Sequence, residues 1–253
     1  MIDVHAHIIP GVDDGSRTIS ESVELCTALY ALGFSEVIAT PHYSRRYSGK
    51  ESAAGIIEKT GELNEAVKDK LPGFRVYCGQ ELVFHESLLE KLKDGAALTL
   101  CGSRYLLMEE MPDVSFDEML RHVMVLRRAS YIPVLAHIER YMCLYDEKRR
   151  LFGRNDFASS GSPGKLSELK ENGAFLQMNY ESLEGSKRDY YVSWCRSAVT
   201  GGYIDYLGTD CHQTDYRPPR AKEALAFLRE NLTEERFREI TELNALRFTA
   251  PAG

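Results

Sequence analysis

Met1-Ile-Asp-Val-His-Ala-His-Ile-Ile-Pro-Gly-Val-Asp-Asp-Gly15 opens the chain. Ile2, Val4 and Ala6 alternate with Asp3, His5 and His7, which is the period of a β-strand, so both imidazoles point to one side about 7 Å apart along it. Pro10-Gly11 breaks the strand. The turn Asp13-Asp14-Gly15 then returns carboxylates to the strand end, where hard oxygen ligands extend an imidazole pair into a metal clamp.

Outward from this stretch the same unit recurs. Thr18 and Glu21 have capping-box spacing, and Ile19, Val23, Cys26, Leu29, Tyr30 and Leu32 follow at helical spacing up to Gly33. A short strand over 37–40 stops at Pro41, with His42 just past it. A helix over 52–71 leads to a third strand over 74–84 carrying Glu81, and a short helix over 85–93 to a fourth strand over 105–109. That strand ends in Glu109 and Glu110, so either carboxylate can face a site there. A helix over 116–130 precedes a fifth strand over 132–136, with His137 and Arg140 immediately beyond. Residues 156–164 read as an exposed Ser/Gly loop. A helix over 166–172, a strand over 174–179, a helix over 187–200 and a seventh strand over 204–208 complete the alternation. Asp210 and His212 follow the last strand, and helices over 219–231 and 234–247 close the chain.

Strands alternating with helices predict a parallel sheet covered by helices. His7, His42, Glu81, Glu109, His137, Asp210 and His212 fall at or near the carboxyl ends of the strands, and a barrel gathers such ends on one rim. The expected fold is therefore an α/β barrel, with residues 1–253 as one domain.

The chain has 253 residues, 43% of them hydrophobic, and a formal net charge of −7. That charge argues against a nucleic-acid surface. Six scattered cysteines without a C-x-x-C pair read as reduced thiols. With no apolar run of membrane-spanning length and no signal-like start, a cytoplasmic protein without membrane insertion is expected.

Five of the seven histidines sit at strand ends beside acids. Imidazole and carboxylate ligands without thiolate suit manganese, iron or zinc, and the acid count implies more than one ion. Clustered divalent ions serve hydrolysis. Arg140, Arg217 and Arg46 follow ligand positions, and guanidinium forks grip phosphate oxygens, which points to a phosphate ester. Cys143 to Arg149 and Cys211 to Arg217 match the C-x5-R spacing of cysteine-dependent tyrosine phosphatases. Both lack the glycine-rich phosphate loop, and their neighbouring acids oppose thiolate formation.

These residues resemble the PHP (polymerase and histidinol phosphatase) superfamily, and within it the metal-dependent bacterial protein-tyrosine phosphatases of capsule and exopolysaccharide loci. The resemblance rests on Ile2-Asp-Val-His-Ala-His7 with Asp13-Asp14-Gly15, Ala39-Thr-Pro-His42, Gly79-Gln-Glu81, Tyr105-Leu-Leu-Met-Glu109, Leu135-Ala-His-Ile-Glu-Arg-Tyr141, Gln177-Met-Asn179 with Ser182-Leu-Glu-Gly185, and Gly208-Thr-Asp-Cys-His212 with Arg217-Pro-Pro219. It implies a distorted seven-stranded (β/α)7 TIM-like barrel and three manganese or iron ions. One ion would be held by His5, His7, Glu81 and Asp210, a second by Glu81, Glu109 and His137, and a third by Asp14, His42 and His212. Arg140 and Arg217 would hold the phosphate, with in-line attack of hydroxide on phosphorus and departure of the tyrosine oxygen. The implied partner is a phosphotyrosine protein, the tyrosine-rich tail of a bacterial tyrosine kinase. A small-molecule phosphatase acting on histidinol phosphate or a sugar phosphate shares every ligand, and an inactive metal-bound binding module is the third alternative. Ile138 stands where the family usually has proline, and the 156–164 loop is longer than usual.

Overall fold

Parallel strands alternating with helices organise the computed structural model, which describes residues 1–43, 51–145, 157, 161–186 and 189–249. β1 (Ile2–Ala6) pairs with β2 (Glu36–Ala39), and β2 with β4 (Arg75–Cys78). β3 (His42–Tyr43), β5 (Glu81–Val83), β6 (Tyr105–Glu109), β7 (Ile132–Leu135), β8 (Phe175–Asn179) and β9 (Tyr206–Gly208) form a second parallel run in that order. The sheet curls until its last strand meets its first. The Asp210 N–H donates to the His5 carbonyl at 2.7 Å, the His7 N–H to the Cys211 carbonyl at 2.8 Å, and Ala6 bridges Cys211.

The expected third strand over 74–84 is divided, and so is the strand over 37–40, which resumes after Pro41. Ala39 faces Cys78 and His42 faces Glu81, so the register is kept across both interruptions. Pro41 offers no N–H to the ladder. At Gly79 a Cβ would lie 2.9 Å from the Leu100 side chain, so the backbone bends around the segment that packs there. Gln80 accepts the Leu98 N–H at 2.8 Å and pins the bend.

β1 also departs from strict alternation. It carries one extra residue relative to β2 between Asp3 and Ala6, a bulge that re-aims the chain. Val4 therefore packs in the inner core while His5 and His7 still reach the rim. Asp3, grouped with the histidines by the simple period, instead accepts from the Thr209 N–H (2.9 Å) and hydroxyl (2.6 Å).

Two cores follow from the curl. Leu106, Met108, Leu135 and Leu207 pack outward with Leu25, Leu29, Met119 and Val123 of the helices. Ile2, Val4, Ile38, Leu107, Val134 and Tyr206 face inward, closed below by Ala245 and Phe248. Phe248 sits 4.9 Å from the Tyr105 ring and 4.8 Å from the Tyr206 ring.

α1 (Ile19–Ala31) starts where the sequence places it, with the Thr18 hydroxyl accepting the Glu21 N–H at 3.2 Å. α2 (Ala53–Val67) and α4 (Phe116–Arg128, with its Ser115–Glu118 capping box) are slightly shorter than expected. α3 begins only at Leu88 (Leu88–Lys93), leaving His85 outside it. The helix expected over 166–172 is Ser162–Glu171, because Pro163 is accepted in a first turn whose N–H groups need no partner. Of the loop over 156–164, residues 156 and 158–160 lie outside the described residues, as do Arg46 and Arg149. The last helix is broken into Glu234–Arg238, a π turn over Glu239–Leu243 and Leu246–Thr249.

Phe248→Ala should lower unfolding free energy by about 3–5 kcal/mol, the range for deleting a buried aromatic side chain. A urea melt showing a loss below about 1 kcal/mol would mean that this ring does not seal the inner core.

Candidate metal centre

The bulge on β1 and the left-handed turn at Asp210 (φ 52°) bring four ligand atoms to one point. His5 Nε2 and His7 Nε2 are 3.1 Å apart. Glu81 Oε2 lies 3.4 Å from each, and Asp210 Oδ1 lies 3.5 Å from His5 and 3.4 Å from His7. All four side chains are buried. Donors about 2.1 Å from one cation lie about 3.4 Å apart in a tetrahedron, the spacing at which Glu81 and Asp210 each stand from the two imidazoles, and the His5, His7 and Asp210 atoms all lie within 4.8 Å of one another. Two imidazole nitrogens facing each other beside two carboxylates satisfy one another poorly by hydrogen bonding alone, and the donor set fits a divalent ion.

Two further groups adjoin the first. His137 Nε2 meets Glu81 Oε1 at 2.8 Å and Glu109 Oε1 at 3.5 Å. His42 Nδ1 meets Glu81 Oε2 at 2.9 Å and Glu109 Oε2 at 3.9 Å, while its Nε2 lies 3.6 Å from Asp14 Oδ1. His212 Nε2 is 3.8 Å from the same Asp14 oxygen. His42 thus faces both the Glu81–Glu109 pair and the Asp14–His212 pair, where the sequence assigned it to the latter alone. Of the two acids ending β6, Glu109 enters the cluster. Glu110 turns away and holds His122 Nδ1 at 2.9 Å, with its N–H donated to the Tyr141 hydroxyl.

Arg140 and Arg217 converge on one atom. Asp210 Oδ2 accepts from Arg140 Nη2 at 2.7 Å, from Arg217 Nη2, and from Asn179 Nδ2 at 2.9 Å. Burial pushes the Asp210 carboxyl up, but His5, His7 and Arg140 outweigh it and hold it well below the usual range. Glu81 is likewise held down against burial by His5, His137 and His42. Burial and the neighbouring Glu81 charge push Glu109 up to about 7, a repulsion that a cation between them would relieve. Burial lowers His137, and burial with His7 lowers His212 to about 3, so both imidazoles are neutral and able to ligate.

The cysteines take no part. Cys211 is buried beside Asp3 and Asp210, and burial drives its thiol well above the ordinary value. Burial pushes the Cys143 thiol up to about 11. Neither is a thiolate near neutrality.

Sequence reasoning offered both turn carboxylates, Asp13 and Asp14, as oxygen ligands, and the family resemblance kept only Asp14 in the ligand set. Asp13 Oδ2 accepts from His7 Nδ1 at 2.8 Å and from the His42 N–H at 2.9 Å, and its Oδ1 from the Gly15 N–H at 2.9 Å. It therefore fixes the His7 tautomer with Nε2 turned inward. Gly15 is obligatory here, since a Cβ would lie 2.2 Å from the His7 carbonyl oxygen. Gln177 Oε1 receives the His137 N–H at 2.8 Å and lies 3.2 Å from His5 Nδ1. Its amide reaches Asn179 Oδ1 at 3.0 Å. Glu139, buried between His137 and Arg140, accepts the Asn179 N–H at 3.0 Å and the Ser182 hydroxyl at 2.8 Å.

Asp13→Ala should weaken divalent-ion binding about 10–100-fold with the fold intact, read by calorimetric titration of chelator-stripped protein. Glu109→Gln should weaken it comparably and Glu110→Gln hardly at all; the reverse order would mean that the wrong acid has been placed in the cluster.

The family model for capsular polysaccharide synthesis proteins, CpsB/CapC, matches residues 1–249. The tyrosine-protein phosphatase CpsB of Streptococcus agalactiae is 28% identical over 252 residues, covering 97% of this chain and 96% of that one. The tyrosine-protein phosphatase YwqE of Bacillus subtilis is 29% identical over 240 residues, covering 93% and 86%. A solved structure from the work on YwqE from Bacillus subtilis and CpsB from Streptococcus pneumoniae, described as unique metal-dependent tyrosine phosphatases, superposes with a TM-score of 0.77. It is 28% identical and covers 94% of this chain and 91% of that one.

Proposed function

Because the chain belongs to the CpsB/CapC capsular polysaccharide synthesis family, we propose that it is a metal-dependent protein-tyrosine phosphatase, a phosphoric monoester hydrolase built on residues 1–253 as one catalytic domain. The observation that carries the reading is the meeting of Arg140 and Arg217 at Asp210, beside the buried carboxylates and imidazoles of His5, His7 and Glu81. The curled sheet is read as a distorted seven-stranded barrel, counting β2 with β3 and β4 with β5 as single interrupted staves.

His5, His7, Glu81 and Asp210 would hold one divalent ion, Glu81, Glu109 and His137 a second, and Asp14, His42 and His212 a third, with His42 also facing the second. Manganese or iron suits this set. Such ions lower the pKa of water and offset the charge that builds on phosphoryl oxygens. The protein's own groups bind and orient. Arg140 spends one N–H on Asp210, Arg217 spends one on Asp210 and one on His212 Nε2 at 3.0 Å, and both remain partly exposed, so their remaining donors are available to grip the phosphoryl group. Asn179 holds the Asp210 oxygen on which both arginines rest, which keeps the two guanidiniums aimed together. Asp13 and Gln177 keep His7 and His5 in ligating orientation.

The proposed partner is a phosphotyrosine protein, the tail of a cognate bacterial tyrosine kinase, met in the cytoplasm. No helix among the described residues is long and apolar enough to cross a membrane.

Chelator-stripped protein should release no phosphate from a phosphotyrosine peptide, and added manganese should restore turnover. Histidinol phosphate, offered in parallel, should be a poor substrate; turnover of histidinol phosphate alone would replace this reading with a metabolic phosphatase. His7→Ala and Asp210→Ala should each abolish manganese-dependent turnover, whereas Cys211→Ser should keep most of it. An inactive Cys211→Ser beside an active His7→Ala would refute the metal mechanism.

A further inference from the structure

Two loops without regular structure carry the outer part of the centre. Residues 7–18 after β1 bring Asp14, and residues 209–221 after β9 bring His212 and Arg217. Side chains that touch no ligand atom lace these loops together. Gln213 Nε2 donates to the Asp14 carbonyl at 2.9 Å and to the Gly15 carbonyl at 3.3 Å. Glu21, in the first turn of α1, takes five donors. Its Oε2 accepts from the Arg17 N–H at 2.8 Å and Nε at 3.0 Å. Its Oε1 accepts from Arg17 Nη2 at 2.7 Å and from the Thr214 N–H and hydroxyl at 3.4 Å each. Arg17 Nη2 reaches on to both Asp215 carboxylate oxygens at 3.3 Å. The His212 N–H, donated to the Arg217 carbonyl at 2.9 Å, folds the second loop back on itself.

A lone exposed ion pair contributes little. Here the carboxylate is buried, the guanidinium meets it through Nε and Nη2 in a two-pronged fork, and the same carboxylate receives the backbone of the opposite loop. The inner ligands have other supports: His5 and His7 are tied into the strand seam, and Asp210 Oδ2 accepts from Asn179 and two arginines. Asp14 is different, with its side chain 48% exposed.

We propose that Gln213 and the Arg17–Glu21 pair form a clasp that sets Asp14 against His212 and Arg217. On this inference the ion facing Asp14, His42 and His212 depends on the clasp, whereas the ion among His5, His7, Glu81 and Asp210 does not. The inference rests on the metal-centre reading of the preceding subsection. Gln213, Arg17 and Glu21 act as positioning residues.

The test is calorimetric titration of the chelator-stripped full chain with manganese alone, with bound ions counted by elemental analysis. Gln213→Ala and Arg17→Ala should keep the tightest ion at wild-type affinity and weaken the loosest about 10-fold or more. KM for a phosphotyrosine peptide should rise in both, because Arg217 rides on the same loop. Arg17→Lys, which keeps the charge and loses the fork, should fall between. Glu65→Ala, which removes an exposed ion pair with Lys68, is the control and should match wild type. Circular dichroism of the stripped proteins separates a binding defect from a folding defect; if Arg17→Ala misfolds, Gln213→Ala carries the test. Wild-type affinities at every ion in the clasp variants, or equal weakening of all ions, would overturn the clasp. A wild-type chain that binds no manganese would overturn the metal-centre reading, and the clasp with it.

Discussion

Asp210 is the residue on which the arrangement turns. Its N–H closes the seam between the last strand and the first at the His5 carbonyl, one carboxylate oxygen faces His5 and His7, and the other collects Arg140, Arg217 and Asn179. A carboxylate this deeply buried is tolerated only if its charge is met. Glu81 poses the same demand a few ångströms away. Without cations, protons on the imidazoles meet it: burial opposes the charged form of His7, but Asp13, Asp210 and Glu81 raise it well above its ordinary value, and Glu81 and Asp210 raise His5. On the proposed metal-centre reading, a cation held by His5 and His7 would compete with protons for the same nitrogens.

The surrounding polar groups give that pocket its shape. Gln177 and Asn179 project from one face of β8 and relay a line of hydrogen bonds from His5 and His137 to Asp210. Asp3 secures the turn into Asp210 from the other side through Thr209, with burial pushing its own carboxyl up to about 6 against those hydrogen bonds. Glu139 ties the end of β8 to the segment bearing Arg140. His5, His7, His137 and Asp210 are thereby each fixed by a neighbour outside the cluster, which is how outer groups set the orientation and basicity of ligands.

Much of this was legible because the chemistry sits at strand ends, and strand ends are marked by period changes and by Pro or Gly. His5, His7, His42, Glu81, Glu109, His137, Asp210 and His212 were all read from that position, and the structure brings them into three adjoining groups, with Asp14 from the turn. The supporting residues were less visible because their roles depend on which loop meets which. Asp13 and Asp14 are equivalent in sequence, yet one accepts from His7 and the other faces His42 and His212. Glu109 and Glu110 differ only by the side of the strand they leave from. The β1 bulge is silent in sequence, since it changes pairing with β2 and leaves the local pattern intact. The break at Gly79 depends on Leu100, about twenty residues away, a packing constraint that periodicity cannot express.

Exposure across the centre is graded, and the gradient bears on where a substrate enters. His5, His7, Glu81 and Asp210 have side chains at 0–3% exposure, whereas Glu109 stands at 27% and Asp14 at 48%. Arg140 and Arg217 lie on the open side, with Asp210 linking them to the buried group. On the proposed phosphatase reading, a phosphoryl group arriving from solvent would meet the guanidiniums first and the buried group only through Asp210. The inner group is shielded and held by the strand seam, which suits an ion that stays. In the outer group the exposure is carried by Asp14 on its loop, while His42 stands on β3 and His212 is buried.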